Sequence, residues 1–107
     1  MINTSISLNV VNATTAYTIN QDTDDYIDAN ATTAAFTVTL PLLAQTVRGQ
    51  SFTVTKVDSS ANVVTVACSG TDTFLDGTTS KTASTQWAYV RMICSTNTAG
   101  NKVWRLF

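Results

Sequence analysis

Between Ala35 and Val66 the chain alternates apolar and hydroxyl side chains: Phe36, Val38 and Leu40 share one parity with Thr37 and Thr39 between them, and Phe52 and Val54 repeat the pattern around Thr53. A period of two puts every second side chain on one face, as in strands with one buried side. Extended along the chain, this reading predicts strands near 5–11, 16–20, 25–29, 35–40, 50–57, 62–67, 73–75, 79–82, 86–94 and 102–106.

The segments between them carry turn chemistry. Asp58-Ser59-Ser60-Ala61-Asn62 reads as a hairpin loop, Asp76-Gly77 as a tight turn with positive φ, and Asn97-Thr98-Ala99-Gly100-Asn101 as a last hairpin leading into the C-terminal strand. Pro41 to Gly49 breaks the alternation; its Leu-Leu-Ala run suits a single helical turn that Gly49 can end. Many short strands with regular turn signals predict an all-β fold, a single compact antiparallel β-sandwich or barrel of jelly-roll type. Residues 1–12 are expected to form an N-terminal strand or arm for attachment, and 13–107 one β-domain.

The segment from Gln86 to Cys94 is apolar on both parities. Ala88, Val90, Met92 and Cys94 make one face; Trp87, Tyr89, Arg91 and Ile93 make the other. A strand covered on both sides has this signature, so one face is expected to meet the core and the other a second subunit. Trp, Tyr and Arg combine apolar area with a polar handle and are enriched at such contacts. The run Lys102-Val103-Trp104-Arg105-Leu106-Phe107 repeats the theme, giving Trp87, Tyr89, Arg91, Trp104 and Phe107 as the expected subunit interface. An aromatic platform for sugar rings at Trp87 and Tyr89 is the competing reading.

Composition sharpens this picture. The chain has 107 residues, enough for one domain, with 21 threonines, a charged fraction of 12% and a net charge of −1. β-branched threonine is stiff at χ1 and favours the pleated sheet. So few charges on so small a chain imply that part of the surface is covered by other subunits. The six basic residues are scattered, which argues against nucleic acid as a partner, and no window has the apolar length needed to cross a bilayer.

The absence of histidine removes the usual general base, the Ser-His and Cys-His pairs and most zinc sites. No catalytic residue, metal or cofactor is therefore expected; hydrolysis by an aspartate pair would need two of the seven aspartates in one cleft. Asp22, Asp24, Asp25 and Asp28 are close enough in sequence to be weighed as calcium ligands, but they lack the glycine and terminal glutamate of an EF-hand loop and read better as turn formers. Cys68 and Cys94 sit among apolar neighbours and read as buried free thiols, with a disulfide left open.

From Tyr17 onward the order and spacing of several segments resemble a small β-module of tailed-bacteriophage virion proteins. The segments are Tyr17-Thr18-Ile19, Asp25 to Ala29, Phe36 to Pro41, Gly49 with Phe52 to Lys56, Asp58 to Asn62 with Val64 to Val66, Asp76-Gly77 and the late aromatic strand ending near Trp104. Such modules occur in capsid decoration (cement) proteins, tail fibres and tailspikes. The resemblance implies a homotrimer without shared catalytic residues, assembled in the host cytoplasm and carried on the virion. The short stretch before Tyr17, in place of a shaft, weights the expectation toward decoration of the capsid surface, with the major capsid protein as partner and Ile6, Leu8 and Val10 as its attachment residues. A receptor- or glycan-binding tip of a tail fibre or baseplate is the alternative.

Overall fold

The computed structural model describes residues 7–107. Among them the strands are β1 (Val10–Ala13), β2 (Tyr17–Thr18), β3 (Tyr26–Ala29), β4 (Phe36–Thr39), β5 (Ser51–Lys56), β6 (Val64–Ala67), β7 (Ser80–Ala83), β8 (Tyr89–Thr96) and β9 (Lys102–Leu106). A single 3₁₀ turn, Leu43–Gln45, lies in the stretch where one helical turn is expected, and Gly49 follows it with φ of 94°. The predicted strand at 73–75 reduces to one bridge between Phe74 and Trp104. The protein is nearly all β.

The strands form two open mixed sheets, ordered β1-β3-β5-β8-β9 and β2-β4-β6-β7, and neither closes into a barrel. Their direction corrects the antiparallel expectation. Up to β6 the chain changes sheet after every strand, so each strand lies beside the one two elements earlier and runs parallel to it. Only β7, β8 and β9 pair antiparallel to their neighbours. Side-chain alternation is the same in both ladders, which is why the pattern alone does not distinguish them. For the same reason the segment Asp58 to Asn62 is not a hairpin loop: it carries the chain from β5 in one sheet to β6 in the other.

Register aligns the buried side chains into rows. Val11, Ile27, Val54 and Val90 form one row across the larger sheet, and Ala13, Ala29 and Lys56 form the next. Phe36, Val64 and Ala83 align in the smaller sheet, as do Val38 and Val66. Inward side chains of both sheets join a single apolar core, which also holds Phe52, Phe74 and Trp104. Burying each Val or Ile contributes about 1.5–3 kcal/mol, so these rows are the main support of the stack.

Two sequence expectations change here. The boundary at residue 12 cuts through β1, whose four residues pair with β3; those residues belong to the domain's own sheet rather than to a separate arm. Trp104 is fully buried, with its ring 5.8 Å from that of Phe52 in an edge-on arrangement, so it supports the core and cannot form a subunit contact. Its indole N–H has no hydrogen-bond partner among the described residues.

One end of the core is polar. Lys56 ends β5 with its side chain fully buried, and its Nζ donates to the Asp58 carboxylate at 2.6 Å. The same carboxylate accepts from the Ala31 N–H at 2.7 Å, the Ser60 N–H at 3.0 Å and the Ser60 hydroxyl. Asn62 Nδ2 donates to the Ala31 carbonyl at 2.8 Å. This network ties the loop after β3 to the loop after β5 and satisfies a charge that could not otherwise remain in the core.

Candidate functional site

The outward face of the five-stranded sheet gathers most of the chemistry singled out in the sequence. The row outward of Val11 and Val54 runs Val10, Tyr26, Thr53, Arg91, and the next runs Asn12, Asp28, Thr55, Tyr89. The Phe107 N–H donates to the Arg91 carbonyl at 3.1 Å, which extends the first row to the last residue of the chain.

Arg91 is the centre of this face. Its guanidinium carbon lies 5.5 Å from the centroid of the Tyr89 ring and 5.5 Å from that of Phe107. Tyr89 precedes it by two residues on the same strand and therefore shares its face; Phe107 approaches from beyond β9. A guanidinium held between two aromatic rings keeps its donors free at the rim while its carbon stem covers apolar surface. Tyr89 and Phe107 are each 58% exposed, far more than a residue held in a core. Of the five expected interface residues, the structure thus brings three together.

Leu8 and Val10, expected to form a separate attachment surface, lie on this same face. Leu8, Tyr26, Arg91 and Phe107 line one shallow depression of about 240 Å³. Leu8 and Val10 are exposed; Leu106, also exposed, is opposite Met92 and so belongs to the other face of the sheet, at its outer strand. The third expected attachment residue, Ile6, lies outside the described residues. A second depression, about 480 Å³, opens between β7 and the Tyr89, Arg91 and Phe107 group, with Lys81 and Thr82 on its far wall.

Trp87 stands apart, at the end of β8. Its N–H donates to the Lys56 carbonyl at 2.7 Å, while the Lys56 N–H donates to the Ala88 carbonyl at 2.9 Å. Two residues therefore oppose one, a β-bulge that follows a turn closed by the Ala88 N–H to the Thr85 carbonyl at 3.1 Å. The bulge places Trp87 at φ of 69°, where glycine is the usual occupant, and leaves the residue 63% exposed. A bulky residue in this conformation is strained. No glycine or Asx signal in Thr85-Gln86-Trp87 reveals it in the sequence.

The acidic cluster serves the fold. Asp24 accepts from the Tyr17 hydroxyl at 2.5 Å and the Asn20 N–H at 2.8 Å, and Asp25 accepts from the Asn9 N–H at 2.7 Å. These bonds fasten the 20–25 loop to the strands beside it. Among the described residues no three metal-ligating side chains converge. Burial and the hydrogen bond to Asp24 push the Tyr17 hydroxyl up to about 12. Cys68 and Cys94 are both free; burial pushes the Cys68 thiol up to about 11 and raises that of Cys94, so neither is primed as a nucleophile.

No protein-family model and no curated protein matches the chain.

Proposed function

We propose that the protein is a structural virion protein of a tailed bacteriophage, a capsid decoration (cement) protein that acts as a homotrimer and stabilises the major capsid lattice. The observation that carries the reading is the outward face of the five-stranded sheet, where Leu8, Val10, Tyr26, Tyr89, Arg91 and Phe107 form an aromatic, aliphatic and arginine band. Exposed apolar surface of this kind is buried by a partner, and the chain's low charge gives it little other means of staying solvated. In this reading the two sheets face each other as a sandwich. The smallest extent of the molecule, 19 Å, suits two β layers spaced about 10 Å apart.

The mechanism is stabilisation by linkage. A protein that binds the assembled lattice and not the free capsid subunits shifts the equilibrium toward assembly, and small repeated interfaces accumulate over the shell. Rigidity is supplied by the parallel rows of Val and Ile, and specificity by the arginine between its two rings. The protein takes part in no covalent chemistry, and neither cofactor nor metal enters this mechanism.

A second reading, a receptor- or glycan-binding tip of a tail fibre or baseplate, is favoured by a separate observation: the exposed, strained Trp87 near Tyr89, since strain in a bulky residue is retained where its side chain has a use. The deciding measurement is the copy number of the polypeptide in purified virions of the phage that encodes it, by quantitative mass spectrometry against the major capsid protein. Copy numbers comparable to the capsid protein are expected. A handful per particle would move the protein to the tail, and its absence from virions would overturn both readings.

A further inference from the structure

The stack of strands is finished at one end and open at the other. At the finished end β7 and β9 run antiparallel to their neighbours and carry Lys81, Lys102 and Arg105, and the segment before β7 bridges to β9 through Phe74 and Trp104. At the open end β1 and β2 are the outermost strands of the two sheets, and among the described residues neither pairs with a further strand. Their residues, Val10-Val11-Asn12-Ala13 and Tyr17-Thr18, include no charge, no proline and no glycine. Edge strands of free proteins are normally protected by such devices, because unpaired N–H and C=O groups recruit other strands.

The bonding pattern identifies which groups are free. The Asn9 and Ala13 carbonyls accept from the Tyr26 and Asn30 N–H groups at 2.9 and 2.8 Å, so these residues turn their main chain toward β3. In a parallel ladder alternate residues bond to the same side; Val11 therefore also faces β3, while Val10 and Asn12 direct their N–H and C=O groups outward. In β2 the Ile19 N–H donates to the Thr39 carbonyl at 2.9 Å, which leaves Thr18 facing outward.

We propose that this open edge pairs with the same edge of a second copy of the chain, β1 against β1 in antiparallel register centred on Val11. That register sets Val10 opposite Asn12 of the second copy, and Asn12 opposite its Val10, so the outward groups of each pair bond to each other in the narrow antiparallel pattern. A single dyad perpendicular to both sheets also carries β2 onto β2 of the second copy, and both sheets continue through the contact. Such isologous pairing is self-closing. Head-to-tail stacking would instead set the uncharged edge against Lys81, Lys102 and Arg105. The contact uses main-chain groups at the rim of the sheet and is separate from the Tyr89, Arg91 and Phe107 band, so it stands or falls independently of the proposed function.

The test is sedimentation velocity and native mass spectrometry of the full chain, with hydrogen exchange at the Val10 and Asn12 amides. The expected result is an even number of protomers, a dimer from this contact alone or a hexamer where the proposed homotrimer also forms, with the mass halved by Asn12→Pro. Proline removes an N–H that the protomer itself does not use. Should the proline variant lose its far-UV circular dichroism, Asn12→Lys serves in its place; it leaves the main chain and Val10 intact and sets two lysines at diagonal positions across the dyad. A folded variant of wild-type mass would overturn the proposal. So would protected Val10 and Asn12 amides in a protein sedimenting as a monomer, since the chain would then cover its own edge.

Discussion

The Lys56 Nζ lies 2.6 Å from the Asp58 carboxylate at a point where the lysine side chain has no exposure to solvent. The lysine follows Ala13 and Ala29 in an otherwise apolar row, so its charge is tolerated only because Asp58 and Ser60 meet it there. Removing one partner leaves the other charge buried. Lys56→Met is therefore expected to cost about 3–5 kcal/mol in urea unfolding, and Lys56→Met/Asp58→Leu to recover much of that loss. Additive effects of the two substitutions would show that the pair is not coupled.

Asp58 also makes stability depend on acid. Burial acts against its charged form, but the Lys56 ammonium, the Ser60 hydroxyl and the Ala31 and Ser60 N–H groups outweigh it and hold the carboxyl well below the usual carboxylate range. A depressed group contributes stability above its unfolded value, about 3.9, and that contribution is lost as pH falls toward the folded value. The melting temperature should fall on acidification below about pH 4, and Asp58→Asn should lower it at neutral pH while flattening this acid limb.

Tyr17 sets the opposite limb. With its hydroxyl pushed up to about 12 by burial and by the bond to Asp24, the protonated phenol is the form the fold favours. Its contribution is complete below the unfolded value, about 10, and disappears as pH rises through the folded one. Tyr17→Phe should remove a step near pH 12 from an ultraviolet tyrosinate titration and make the melting temperature less sensitive to pH between those values. Loss of a step near pH 10 instead would show that the hydroxyl is not held by Asp24.

At Trp87 stability and binding should separate. Relief of the left-handed backbone is worth about 1–2 kcal/mol, so Trp87→Gly should be more stable than Trp87→Ala by roughly that amount. If the exposed ring serves a ligand or partner, both variants lose it equally. A glycine variant no more stable than the alanine variant would show that the bulge does not hold this residue in the strained conformation.

The aromatic band is testable without disturbing the core. Tyr89→Ser and Phe107→Ser alter exposed side chains, and each should change unfolding free energy by less than about 0.5 kcal/mol. Assembly should nevertheless weaken in both, read as the association midpoint in sedimentation equilibrium. Leu8→Asp should reduce binding to capsids with less effect on the oligomer. The point substitution is the cleaner test of attachment, because deleting residues 1–12 would remove most of β1 from its sheet.

Much of this molecule was legible in the chain. Alternation located most of the strands and assigned the two faces of β8 correctly, with Val90, Met92 and Cys94 inward and Tyr89, Arg91 and Ile93 outward, because parity is a local property of an extended backbone. Turn chemistry at Asp76-Gly77 and at Asn97 to Asn101 was local in the same way. Strand direction was not local: whether a loop doubles back in one sheet or crosses to the other depends on where distant strands have packed, and the parallel stack followed from that choice. Tertiary structure alone sent Trp104 into the core while leaving Phe107 outside, and merged Leu8 and Val10 with Arg91 and Phe107 on one face, since neighbours across a sheet are set by register rather than by distance along the chain. It also buried Lys56, a residue whose type predicts a surface position, by supplying Asp58 and Ser60 from the following loop.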